Sequence, residues 1–224
     1  MSLSGYLADT QRLLRDPAAA LYTINDLTFF INRAMRQRDL DLKLNRLRLS
    51  FTLSTGIYDY PFATIAAGGS VLDGNANAII MDVLSIIIMP LGSPASSVRY
   101  PLGRWPYSKL AFMLSTSYPT YPSVYALYGT SNIILAPPPA GNYPAEFDFS
   151  CYSPDLVNQN DTDIMPYPFT DPVPFLAASF AKVQAQRFDE ADGFESQYQK
   201  HMNRVRAQSR SIAVSQPWSD LPRR

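Results

Sequence analysis

The sequence predicts an α+β fold in which helices come first and last and strands lie between them. Three observations carry this prediction: apolar residues recur every three or four positions at the start of the chain, they alternate with polar residues from Arg46 onward, and helical spacing returns in the last third. The chain of 224 residues is long enough for one domain with an appendage. The predicted segments are a helical pair at 1–45, a β-rich insert with a short helix at 46–165, C-terminal helices at 166–210 and an extended C-terminal arm at 211–224.

Two helices are predicted in the first segment. The first has apolar residues at helical spacing and ends before Pro17, because the residue before a proline disfavours helical geometry. The second begins at a cap, either Thr23 or Asn25. Its apolar face comprises Leu27, Phe30, Ile31, Ala34 and Met35.

The middle of the chain is predicted to consist of strands. Residues 46–54 alternate apolar and polar side chains, as in a half-buried strand. Residues 78–89 are dense in Ile, Met and Val, which is typical of a strand covered on both faces. Residues 122–137 predict a hairpin that turns at 129–132. The Gly-, Ala- and Asn-rich stretch 66–78 predicts a mobile loop.

The last third predicts two helical segments and an arm. The helices start near Asp171 and Phe194, with a break at 189–193 between them. Periodicity stops at Ser211, yet large apolar residues continue. Because a structureless terminus normally loses such residues, we expect the arm to dock on a neighbour or partner, with disorder and docking on its own fold as alternatives. The expected anchors are Ile212, Val214, Trp218 and Leu221.

The composition excludes several classes of protein. Nineteen basic and nineteen acidic residues give zero net charge, which argues against a net basic nucleic-acid binder. One cysteine and one histidine exclude a disulfide framework and a zinc site, so no cofactor is expected. Cys151 is predicted to be a buried strand thiol. The chain starts without signal-peptide features and has no apolar run of membrane-spanning length, which predicts a soluble protein made in a cytoplasm.

No catalytic residue is predicted. His201 has no orienting partner or nucleophile in a sequence motif, so we expect an exposed helical histidine. Asp161 and Asp163 resemble the start of a calcium loop, but the required Gly and Glu are missing, which favours a solvated turn. Asp189 and Glu190 lie between helices without a cleft, which favours helix-end charge over an acid–base pair.

Charge is segregated along the chain. Six basic residues fall within residues 33–48, whereas ten acidic residues between 146 and 195 meet only two basic ones. An ordinary solvated surface is the common explanation. The functional hypothesis is a head-to-tail contact between copies, which closes into a ring. The candidate inter-subunit residues are Arg33, Arg36, Arg46, Arg48, Asp189 and Glu190.

Four stretches of the chain together resemble the head-to-tail adaptor proteins of tailed bacteriophages, in the family's order. They are DLTFFINRAMRQ at 26–37, GIYDYP at 56–61, YPSVYALYG with IILAPPPAGNY at 121–143, and PYPFTDPVPFLAA leading into FDEADGFESQY at 166–198. Residues 63–78 and the arm do not match clearly. Each motif is loose, so the shared order carries the resemblance.

The resemblance implies a helical bundle with an inserted antiparallel β-sandwich-like part. It also implies a structural virion protein in the neck between capsid and tail, which binds the portal after DNA packaging. Twelve copies would form a ring whose channel passes DNA without sequence-specific binding. The C-terminal arm would reach the portal, and the opposite face would dock the tail, a nozzle or a neck protein.

Two hypotheses from other classes stay open. One is a virion-associated peptidoglycan-cleaving enzyme that uses the carboxylates of Asp189 and Glu190. The other is a DNA-binding head-completion factor that uses the arginines of residues 33–48. Neutral net charge argues against the second, and the missing cleft argues against the first.

Overall fold

The computed structural model describes residues 1–75, 77–89, 99–116 and 118–212, which contain six helices and nine strands. The helices are α1 (Leu3–Leu14), α2 (Ile24–Leu42), α3 (Phe62–Gly68), α4 (Tyr107–Thr116), α5 (Pro172–Gln184) and α6 (Phe188–Ile212). The strands are β1 (Arg46–Thr52), β2 (Asp59–Pro61), β3 (Ser70–Asp73), β4 (Ile79–Ile88), β5 (Tyr100–Pro101), β6 (Gly103–Arg104), β7 (Val124–Tyr128), β8 (Asn132–Ala136) and β9 (Pro144–Tyr152). Helices with largely antiparallel sheets confirm the predicted α+β class.

The chain divides into two compact units. The helical unit comprises residues 1–43 together with those from 152 onward, and the β unit comprises residues 44–151. Residues 152–165, which the sequence pattern placed at the end of the β-rich insert, group with the helices. Asn32 of α2 helps to hold this segment on the helices. Its side chain accepts a hydrogen bond from the backbone N–H of Leu156 at 2.9 Å and donates one to the backbone carbonyl of Leu156 at 3.0 Å.

Side-chain caps delimit the first two helices. Ser2 accepts from the backbone N–H of Gly5 at the start of α1, and Thr23 accepts from that of Asp26 at the start of α2. Both helices end at residues in the left-handed region, Arg15 (φ 57°) and Lys43 (φ 51°). Of the two residues predicted as caps of the second helix, Thr23 and Asn25, Thr23 is therefore the cap.

Helices α1, α2, α5 and α6 share one hydrophobic core. Helix α5 packs against each of the other three, and α1 also packs on α2. The buried residues of α1 and α2 recur every three or four positions and point into this core, whereas α5 is buried over most of its surface. Fully buried members include Leu3, Tyr6, Leu27, Ile31, Met35, Val173, Ala177, Tyr198 and Met202.

The β unit contains two sheets, in the orders β3-β1-β9-β4-β5 and β2-β8-β7-β6. Strand β9 is central in the first sheet, where Leu49 of β1 lies opposite Phe147 in antiparallel register. Both sheets contribute buried side chains to one core. The predicted hairpin is confirmed as β7 and β8, with Gly129 in its turn at φ +63°. Cys151 is buried on β9, as predicted.

The structure contradicts the predicted loop at 66–78 in its first part, residues 66–73. Helix α3 and strand β3 occupy most of this stretch. Helix α3 buries Phe62 and Ile65, which precede this stretch, and only its last three residues, 66–68, fall within it, so the stretch contains too little of the helix to show helical spacing. All four side chains of β3 are exposed, so this edge strand is held by backbone pairing with β1 and has no apolar pattern to detect. At Gly74 (φ +96°), an added Cβ would lie 2.3 Å from the carbonyl oxygen of Arg46, so only glycine fits.

The break between the last two helices comes earlier than predicted. Helix α5 ends at Gln184, Gln186 adopts φ 58°, and α6 starts at Phe188. Gly193, which suggested a break at 189–193, lies inside α6. The backbone of residues 211 and 212 is also helical, so α6 passes the predicted boundary at 210.

Candidate functional site

A buried cluster of charges lies in the helical unit. The guanidinium of Arg38 is fully buried and donates to the carboxylates of Asp39, at 2.8 and 3.0 Å, and Asp163. It also donates to the hydroxyl of Ser153 at 3.2 Å. The Tyr6 hydroxyl donates to Asp163 at 2.6 Å. The cluster therefore ties α1, α2 and the 152–163 segment together.

Neutral hydrogen-bond donors complete the environment of the two carboxylates in this cluster. Burial by itself raises the pKa of Asp163, but attraction to Arg38 and hydrogen bonds from Arg38, Tyr6 and a backbone N–H outweigh it and hold the pKa below its ordinary value. Burial and the negative charge of Asp163 raise the pKa of Tyr6, so its hydroxyl stays a neutral donor. One cation thus faces two carboxylates, and backbone N–H groups of Ser153 and Met165 complete their hydrogen bonds.

We expect the free energy of unfolding of the helical unit to decrease as the pH is lowered through the acid range. Because the folded pKa of Asp163 lies below the unfolded value of about 3.9, its contribution is complete above that value and is lost as pH falls through the folded pKa. Urea unfolding from pH 7 down to about pH 2 measures this loss. Asp163→Asn removes the titrating group, so a loss as steep in that variant would contradict the assignment to Asp163.

The candidate inter-subunit arginines of the β unit already have partners in the chain. Arg48 forms an ion pair with Glu146, which also accepts from Arg99 at 3.0 Å. Arg46 lies 3.5 Å from Asp148. The pairs of Arg48 and Arg46 join the neighbouring strands β1 and β9, and the side chains of Arg46, Arg48 and Arg99 remain 41–62% exposed.

The two candidate arginines of α2 are also engaged. The guanidinium of Arg33 lies 4.4 Å from the ring centroid of Phe180 on α5, in a cation–π arrangement. Arg36 pairs with Asp155, and both side chains are 40–50% exposed. Within the described part of the helical unit, Arg33 and Arg36 thus contact other partners than Asp189 or Glu190.

Asp189 and Glu190 lie in the first turn of α6, which confirms their interpretation as helix-end charge. Glu190 accepts from Lys182 at 2.7 Å and from Arg187 at 3.3 Å. The hydrogen bond from Lys182, with the charges of both basic groups, holds the pKa of Glu190 below its ordinary value. A carboxylate kept ionised in this way is a poor general acid.

An apolar groove of about 450 Å³ opens on the helical unit. Leu13 of α1, Pro174 and Phe175 of α5 and His201 of α6 contribute to its lining. The His201 ring stacks on Phe175, with centroids 4.7 Å apart and an interplanar angle of 22°. His201 is thus half-buried, which corrects the prediction of an exposed helical residue. Tyr167 lies on the groove and is 79% exposed.

Comparison with protein-family models identifies the protein at the level of its family. The model of the SU10 adaptor proteins matches residues 1–220. The chain belongs to the SU10 adaptor protein family. This is a bacteriophage adaptor family, so the adaptor is a structural component of the virion, in agreement with the predicted resemblance. A search of curated proteins found no significant match to the adaptor.

The predicted anchors of the adaptor's arm lie at the limit of the described chain. The backbone of Ile212 is the last helical position of α6, which corrects its assignment to an extended segment. Val214, Trp218 and Leu221 lie outside the described residues. Within the described ranges, no helix of the adaptor is long and apolar enough to span a membrane.

The buried cluster of the adaptor was not predicted from the sequence. Arg38 was expected in a solvated basic segment and Asp163 in a solvated turn, but both are buried. One local signal was present: Arg38 follows Leu27, Ile31 and Ala34 at spacings of four, three and four, so it continues the buried stripe of α2. No local pattern marks Asp163, because Arg38 and Tyr6, whose side chains donate to its carboxylate, are 125 and 157 residues away.

Proposed function

We propose that the protein is a head-to-tail adaptor that binds the portal of a tailed bacteriophage after DNA packaging. Copies form a ring, of twelve as the family resemblance implies, which extends the DNA channel and docks the tail, a nozzle or a neck protein. The helices act as a bundle and the two sheets as a sandwich-like insert. The observation that carries the proposal is membership of a phage adaptor family over residues 1–220.

Contacts between copies are proposed to use exposed charged groups, four of which form ion pairs within the chain. These are Arg33, Arg36, Arg46 and Arg48 on one copy and Asp189 and Glu190 on the next. An exposed ion pair contributes about 0–1 kcal/mol, so exchanging such a partner for one on another copy costs little. Modest contacts repeated around a ring add up through multivalency.

Deleting residues 213–224 is expected to abolish binding to the portal, because Val214, Trp218 and Leu221 are the proposed anchors. The deletion leaves every described residue in place, including the whole of α6. Co-sedimentation of the purified chain with portal measures the effect. Portal binding that is unchanged after the deletion would refute the arm as the anchor.

Single substitutions within the arm separate anchoring from a general effect of length. Trp218→Ala is expected to weaken each arm–portal contact by about 30-fold, as for an interface hot spot of about 2 kcal/mol. Gln216→Ala, two residues away, serves as the matched control and is expected to leave binding unchanged. The mass of the assembly on the portal, compared with that of the free chain, tests the ring.

A further inference from the structure

The groove of the helical unit has the chemistry of a receptor for a short apolar segment that carries a basic end. Its floor is apolar at Leu13, Pro174 and Phe175. The groove also carries the acidic side chains of Asp9 and Asp171. Arg12, 3.7 Å from Asp9, is largely exposed, and Asp171 forms no ion pair among the described residues. The groove has a volume of about 450 Å³, which is within the range of pockets that enclose a small ligand or a side chain.

The chain itself contains a segment of matching chemistry. Residues 213–224 include Trp218 and Leu221, followed by Arg223 and Arg224. An indole supplies a large apolar surface with few rotatable bonds, so it is well suited to fill a pocket. The basic pair complements the acidic groups of the groove.

The distances allow this segment to reach the groove of its own chain. His201 lines the groove, and α6 continues for eleven residues to Ile212. That stretch of helix is about 16 Å long at 1.5 Å per residue. Residue 218 is six positions beyond Ile212, and six extended residues span about 20 Å. A chain that reverses direction after α6 therefore brings Trp218 level with His201.

We propose that, in the free chain, residues 213–224 fold back onto their own helical unit and insert Trp218 into this groove. A segment tethered by a few residues has an effective concentration in the millimolar range, which exceeds that of a second copy in dilute solution. The occupied groove keeps the apolar anchor out of water before assembly. The contact goes beyond the proposed function, since it is a property of the chain without portal.

Tryptophan fluorescence tests the contact directly, because the chain has two tryptophans. In Trp105→Phe protein, Trp218 is the sole probe. Its emission is expected to be blue-shifted and shielded from acrylamide relative to a synthetic peptide of residues 211–224, at every protein concentration. Tyr167→Ser is expected to reduce the ratio of docked to free arm about tenfold, by removing an apolar wall of the groove. Leu13→Asp, which places a charge in the floor, is expected to reduce it further.

Tyr118→Ser is the matched control, because Tyr118 is also highly exposed and, like Tyr167, precedes a proline. It is expected to leave the emission unchanged. Emission identical to that of the free peptide overturns the proposal. So does burial that depends on protein concentration, which would indicate the arm of a second copy, and so does burial that neither groove variant alters. Portal binding is measured separately with the same variants. Loss of portal binding in Tyr167→Ser would count against the arm as the portal anchor, not against docking of the arm in the free chain.

Discussion

Replacing Arg38 with Met is expected to lower the free energy of unfolding by about 3–5 kcal/mol, because it leaves two buried carboxylates without their cation. Asp39 and Asp163 both accept from this guanidinium, and their remaining donors are Tyr6 and backbone N–H groups. Methionine keeps most of the side-chain length, so the loss reports the charge more than a cavity. Since typical domains are stable by about 5–15 kcal/mol, urea unfolding at 25 °C is the suitable measurement.

Arg36→Met provides the matched control, two residues earlier on the same helix. Arg36 also pairs with an aspartate, but its side chain is 50% exposed, so we expect a loss of about 0–1 kcal/mol. Adding Asp163→Asn to Arg38→Met removes one of the stranded charges and is expected to restore part of the lost stability. Equal losses for Arg38→Met and Arg36→Met would contradict a buried ionic cluster.

Replacing Phe147 with Ala is expected to cost about 3–5 kcal/mol in the β unit, as for other buried Phe→Ala changes. Phe147 is fully buried on β9, the central strand between β1 and β4. Its ring lies 5.9 Å from that of Phe149 and 6.3 Å from that of Phe51. Alanine removes both aromatic contacts and leaves a cavity that a central strand cannot close by moving.

Two further substitutions, measured by the same urea unfolding, serve as comparisons for Phe147→Ala. Phe147→Leu keeps most of the volume and is expected to cost less than about 1.5 kcal/mol. Tyr118→Ala truncates an aromatic residue of the same unit that is 86% exposed, and is expected to stay within about 0.5 kcal/mol. A loss for Phe147→Ala no larger than that for Tyr118→Ala would show that Phe147 does not anchor the core.

The spacing of apolar residues was sufficient to predict α1 and α2, the strand at 46–54, the hairpin and the buried thiol of Cys151. It failed at β3, whose four side chains are all exposed and whose pairing partner is β1. Backbone hydrogen bonds hold such an edge strand, and they leave no trace in side-chain type.

The sequence by itself determined the types of most elements and the resemblance to phage adaptors, because periodicity and the order of motifs are properties of neighbouring residues. Only the tertiary structure decided which charges are buried. Arg38 and Asp163 are 125 residues apart, and each resembles a surface charge when considered alone. Whether a charge can leave water depends on the partners that the fold brings to it, and those partners come from α1, α2 and the segment after β9.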